Sequence, residues 1–286
     1  MKHFLISTIC FVFALSIHAQ QQENNSLLYE ISGNGLTQPS YVFGTIHMIC
    51  KEDFFLPETV KQPFINAKHV YLELDMDDAA LQMNMMKLAM LPKGQSLQQL
   101  FGADYQLVDS FFKQSGTYRL SMFNQFKPMM VMSLMYTQML PCKTQESYEM
   151  SFVTLAKQNK KDILGLESIE DQMQVFDNIP DSLEVANFVK MVKEYEEQKQ
   201  QFTKMVALYK QQNIDRLFAY VNSSPDLMNA QEDLLTKRNS NWIPVMEKSM
   251  KDGSSFFAVG AAHLGGTIGL IHLLQKAGYT VRPVKL

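Results

Sequence analysis

The chain has 286 residues, 46% of them hydrophobic and 19% charged, with a formal net charge of −3. That is the balance of a globular protein with enough apolar material for a full core. The slight acidity, and the lack of long Lys/Arg clusters, argue against a nucleic-acid partner. Residues 1–19, MKHFLISTICFVFALSIHA, begin with Lys2 and His3, run apolar from Phe4 to Ile17 and reach Ala19 before a Gln-rich stretch. This pattern predicts a secretory signal peptide. The apolar run is shorter than the roughly 20 residues a stable transmembrane helix needs. Residues 20–286 are then expected to form a single exported domain, periplasmic or extracellular, because no Pro/Gly/Ser-rich linker divides them. Cys10 leaves with the leader, and Cys50 and Cys142 would meet an oxidising compartment, where a disulfide between them is expected.

Six short runs rich in aromatic and branched residues read as strands: Leu27 to Ser32, Tyr41 to Ile46, His69 to Leu74, Asp162 to Leu166, Phe256 to Gly260 and Tyr279 to Val284. Residues 76–160 and 168–250 between them have helical periodicity. Met132, Met135 and Met139 share a face, and Val185, Phe188, Val189, Val192 and Tyr195 recur at helical spacing, followed by Phe202, Met205, Val206 and Tyr209. Met83, Met86 and Met90 have spacing that suggests a buried helix face. The pattern predicts an α/β or α+β protein with a small central sheet and large helical insertions whose helices wall one cleft.

Four of the strands end in groups able to hold a metal. YVFGTIH ends in His47, HVYLELD in Glu73 and Asp75, DILGLE in Glu167, and FFAVGAAH in His263. In open α/β sheets ligands bind beyond the carboxyl ends of the strands. If these strands are neighbours, two imidazoles and two carboxylates converge, and Gly44, Gly165 and Gly260 allow close approach there. The two Gly-x-x-His units would be halves of one site. His69 and His272 are expected to be structural, and most of the 20 methionines to fill the core.

Order and spacing of several segments resemble the TraB/GumN family, which includes PrgY and the Tiki-type metalloproteases. They are Ile31 to Phe54, Val70 to Asp75, Ile163 to Pro180, Leu234 to Glu247 and Phe256 to Val284. By this resemblance the two Gly-x-x-His motifs fall on Gly44 to His47 and Gly260 to His263, and the strand-end glutamates on Glu73 and Glu167. An Arg-Asn motif falls on Arg238 and Asn239, followed by Asn241 and Trp242, and Glu149 falls on a recurrent acidic position. The resemblance implies a fold related to erythromycin esterase and ChaN, and a divalent-metal-dependent hydrolase acting on a peptide or protein. His47, Glu73, Glu167 and His263 would hold manganese or cobalt, with zinc or iron also suited to such donors, and Arg238 would face the site. The rival class is a non-catalytic protein that sequesters a peptide or haem.

Overall fold

The computed structural model describes residues 25–116, 118–224 and 231–286, so the expected signal peptide lies outside the described residues. The chain is mixed α/β, as its pattern predicts. Strands β1 (Leu28–Gly33), β2 (Ser40–Thr45), β4 (His69–Leu72), β6 (Ile163–Gly165), β7 (Ser255–Gly260) and β8 (Tyr279–Val284) form one sheet in the order β6-β4-β7-β2-β1-β8. The pairs β6/β4, β4/β7 and β7/β2 are parallel, whereas β1 runs antiparallel to both β2 and β8. All six strands read from the sequence are present. Two further strands, β3 (Ile49–Cys50) and β5 (Gln145–Glu146), pair antiparallel in a separate two-stranded sheet. At two residues each, they lack any alternation from which to recognise them.

The central strands are buried on both faces, which is why they are nearly continuous in apolar residues. Phe43, Phe256 and Phe257 are fully buried, and the Phe64 ring stacks on Phe152 at 5.2 Å. One layer comprises α1 (Glu58–Asn66) and α6 (Tyr148–Asn159). Phe64 of α1 and Phe152 of α6 both meet the Phe256 ring of β7, at 5.4 and 5.5 Å. Trp242 and Met246, on α11 (Arg238–Asp252), belong to the same core.

A second apolar cluster lies among helices of the insertions. It joins α3 (Leu97–Phe101), α4 (Tyr105–Ser115), α5 (Pro128–Met139) and α8 (Asp181–Lys193). Val131, Met135 and Met139 fill it from α5, and Phe188 meets Phe101 at 5.1 Å. Phe202, on α9 (Tyr195–Lys210), borders both clusters. The expectation for Met83 and Met86 fails, because both are more than half exposed. Their helix, α2 (Leu81–Leu88), stops before Met90 and instead turns Leu81, Met85 and Leu88 toward Ile169 and Met173 of α7 (Ile169–Asp177). The competing i, i+4, i+7 stripe won.

Cys50 and Cys142 are bonded, with Cα atoms 5.7 Å apart. His69, at the start of β4, pairs with Asp252 at 2.7 Å, and His272 lies on the exposed side of α12 (Leu270–Lys276). Among the described residues no helix is long and apolar enough to cross a membrane.

Candidate active site

The four parallel strands β6, β4, β7 and β2 stand side by side, so their carboxyl ends open on the same edge of the sheet. Glu167 follows β6, Glu73 follows β4, His263 follows β7 and His47 follows β2. Their order across the edge is therefore Glu167, Glu73, His263, His47. Close approach is built into the backbone here: a Cβ on Gly165 would sit 2.7 Å from the Glu167 carbonyl oxygen, and one on Gly44 would sit 2.9 Å from Leu264.

Glu73 lies at the centre. Its Oε1 accepts the Gly260 N–H at 2.7 Å and stands 4.0 Å from His263 Nε2, while Oε2 accepts from Arg238 at 2.6 Å. Burial alone would raise this carboxyl. The charge that His263 takes up in acid, with those of Arg238 and His47 and the Gly260 N–H, outweighs burial and holds it at about 2. Burial also pushes His263 down to about 3, so that ring is neutral at physiological pH and Arg238 is the standing counter-charge of Glu73.

Arg238 begins α11 directly after a π-helical turn over Glu232–Lys237. Such wide turns are frequent at functional sites because they re-aim a side chain. Its guanidinium is 12% exposed and binds Glu167 through Nε and Nη2, at 3.0 and 2.6 Å to Oε1, while Nη1 reaches His263 Nε2 at 3.2 Å. The Trp242 indole lies under Arg238 at 4.9 Å and donates its N–H to Glu167 Oε2 at 3.2 Å. Glu167, 8% exposed, thus has both oxygens on Arg238 and Trp242. Gln172 bridges the two glutamates, at 3.0 Å to Glu167 and 3.4 Å to Glu73.

The tautomer of His263 follows from Asn239. The amide Nδ2 of Asn239 donates to the carbonyls of Ile268 and His263, which leaves Oδ1 to accept from His263 Nδ1–H at 2.6 Å. Nε2 then keeps its lone pair, which accepts from Arg238 Nη1 at 3.2 Å, with Glu73 Oε1 4.0 Å away. This is how metal-ligating histidines are held, with the second ring nitrogen hydrogen-bonded away from the ion.

His47 stands at the open side. Its Nδ1 lies 3.3 Å from Glu149 Oε1, which also accepts from the Thr45 hydroxyl at 2.8 Å. That hydrogen bond, with the charges of Glu149 and Glu73 behind it, raises the His47 ring to about 9. The side chain is 75% exposed, so water screens part of the pull. Asp75 falls outside the cluster, since its carboxylate accepts the Asp78 N–H at 3.0 Å. Burial and Asp77 raise it to about 6.

A cleft of about 280 Å³ opens beside these groups. His47, Glu73, Glu149, Ser147 and Gln172 form its polar side, and Met48, Leu72, Leu74, Met76 and Ala258 its apolar wall. Gln172, Thr45 and Ser147 escape a reading of the strand ends. Gln172 sits one helical turn into α7, and the Ser147-x-Glu149 pair is a helix start in which Ser147 caps α6.

The donors suit a divalent ion in kind, with two imidazoles on neighbouring strands and an ionised carboxylate beside His263, and the guanidinium of Arg238 is the cation that Glu73, Glu167 and His263 Nε2 now share. Their spacing is open. Among the described residues, the grouping of three such donor atoms within 4.8 Å of one another is Cys50, Glu52 and Cys142, whose sulfurs are already bonded to each other.

A parallel-sheet edge that gathers His, Glu and Arg in this way defines an α/β protein with a strand-end polar site. The chain belongs to the TraB/PrgY/gumN family, whose profile matches residues 27–283. It is similar to Metalloprotease TIKI1 of Homo sapiens, 37% identical over 86 residues, which are 30% of this chain and 16% of that protein. It also resembles the Metalloprotease TIKI homolog of Nematostella vectensis, 39% identical over 80 residues, 28% of this chain and 16% of that one. Metalloprotease TIKI2 of Danio rerio is 33% identical over 85 residues, with 29% and 16% covered. The chain therefore matches only about a sixth of the length of these relatives. No solved structure matches it significantly.

Proposed function

We propose that the chain is an exported, divalent-metal-dependent peptidase. The observation that carries this reading is the convergence of two cation acceptors, the His263 Nε2 lone pair fixed by Asn239 and the ionised Glu73 carboxylate, on one guanidinium beside an open cleft. His47, Glu73, Glu167 and His263 would hold the ion, the two glutamates and His263 turning to it from the Arg238 guanidinium they now share. When bound, the ion would polarise a peptide carbonyl and lower the pKa of a water. Arg238 is preorganised beside that place, where a guanidinium stabilises negative charge developing on a carbonyl oxygen. The apolar wall formed by Met48 and Met76 suits an apolar side chain of a peptide, and flexible methionines tolerate variation in its shape.

Export is supported by the expected signal peptide and by the disulfide, which persists in oxidising compartments. The single-domain organisation of residues 20–286 is supported by Phe202, which packs against both the sheet core and the helical cluster. The test is a peptide-library digest by the mature protein with manganese, cobalt, zinc or iron(II) added singly, read by mass spectrometry. Metal-dependent cleavage that His263→Ala abolishes supports the reading. Peptides bound but left intact with every metal would favour sequestration instead.

A further inference from the structure

The small second sheet has a place next to the site. In it Ile49 pairs with Glu146 and Cys50 with Gln145, and the Lys51 N–H donates to the Thr144 carbonyl at 3.0 Å. His47 lies just before one strand and Glu149 just after the other. A two-stranded ribbon this short is marginal in water by itself, and here the Cys50–Cys142 disulfide closes it covalently.

Beyond the ribbon, the Glu149 carboxylate is fixed on every side. Ser147, the cap of α6, donates to Oε2 at 3.0 Å, and Thr45 donates to Oε1. Its chain neighbour Tyr148 is fully buried, with its ring 5.6 Å from Phe43 and 4.7 Å from Phe54, and its hydroxyl on the Phe55 carbonyl at 3.0 Å. The carboxylate also sits in the first turn of α6, where the helix dipole favours its ionised form.

We propose that Glu149 is a positioning residue for His47, and that the disulfide-closed ribbon is the clip that sets the two against each other. Glu149 accepts from Nδ1–H and so leaves Nε2 for the cleft, as Asn239 does for His263. The two histidines, which follow neighbouring strands, are thus held by the same device, one by a core amide and one by a clipped carboxylate. This inference rests on the reading of His47 and His263 as the two imidazoles of one metal site. Its direct consequence, the placement of the His47 proton, needs no metal to be observed.

The experiment is 15N NMR of the histidine rings in the metal-free mature protein, in alkaline buffer where His47 is neutral. Wild type should carry the proton on Nδ1 of His47. Glu149→Leu, and separately Cys50→Ser/Cys142→Ser, should shift it toward the Nε2–H tautomer that free histidine prefers, while the His263 ring keeps its Nδ1–H pattern. The His263 signal serves as the internal control for folding. A His47 tautomer unchanged in both variants, or equal loss of the His263 pattern, would overturn the proposal. In a manganese titration of the same samples both variants should bind about 10–100-fold more weakly. Wild type that takes up no manganese would overturn the metal reading, and the ring spectra would still decide the positioning of His47.

Discussion

Replacing Arg238 by leucine removes the cation shared by two buried carboxylates. Glu73 and Glu167 are 13% and 8% exposed, and both point at the guanidinium at 2.6 Å. Breaking a buried ion pair by deleting one partner costs about 3–5 kcal/mol, because the charge left behind is neither solvated nor paired. Donors that survive the change, namely the Gly260 N–H, Gln172 and the Trp242 indole, should keep the loss near the lower end of that range. The pH dependence provides a second check. In wild type the folded Glu73 value, about 2, lies below the ordinary 4.5. Its stabilisation is therefore complete above 4.5 and is lost as pH falls toward 2. Without Arg238, burial lifts the folded value above 4.5, so the variant is penalised most at neutral pH and recovers as the carboxyl takes up its proton. Urea denaturation at pH 7 and pH 4.5 measures both effects. A loss under about 1 kcal/mol at pH 7, or one that does not shrink on acidification, would refute the account of Arg238 as the standing counter-charge.

Glu184→Gln should stabilise the protein in neutral solution. Burial, with Asp181 nearby, raises Glu184 to about 7, so the folded chain loses stability as pH rises from 4.5 to 7, and the variant's Tm should gain on wild type across that window. Gly165→Ala should cost about 1–3 kcal/mol by thermal melting, since the added Cβ meets backbone at 2.7 and 3.0 Å on the segments that carry Glu167 and Glu73. His263→Ala should lower stability by about 1–3 kcal/mol, because it removes a buried ring that accepts from Arg238, donates to Asn239 and stacks on Trp242 at 4.5 Å. His47→Ala, on an exposed side chain, should leave the Tm nearly unchanged. If a peptide substrate is found, the double variant His47→Ala/His263→Ala should be little slower than either single one, since groups serving one step are not additive.

Much of this was legible because the signals are local. Strands such as Phe256 to Gly260 announce themselves by aromatic and branched residues, and the four strand-end groups share a position that parallel pairing turns into proximity. Less was legible where the decisive contacts are long-range. Nothing local says that Arg238 would take both oxygens of Glu167, 71 residues away in sequence, or that Asn239 would fix a histidine tautomer. The two-residue strands β3 and β5 carry no periodicity, and their pairing is set by a disulfide across 92 residues. The Met83 and Met86 face failed because two apolar stripes compete on one short helix, and only the packing of α7 selects between them.

The most direct test of the central claim is a manganese titration, followed by EPR, of the mature protein and of its His47→Ala and His263→Ala variants, with each variant's fold checked by circular dichroism. The account predicts saturable binding by wild type that is lost in both folded variants. Wild type that binds no manganese, cobalt, zinc or iron(II), or variants that bind the ion as wild type does, would contradict it.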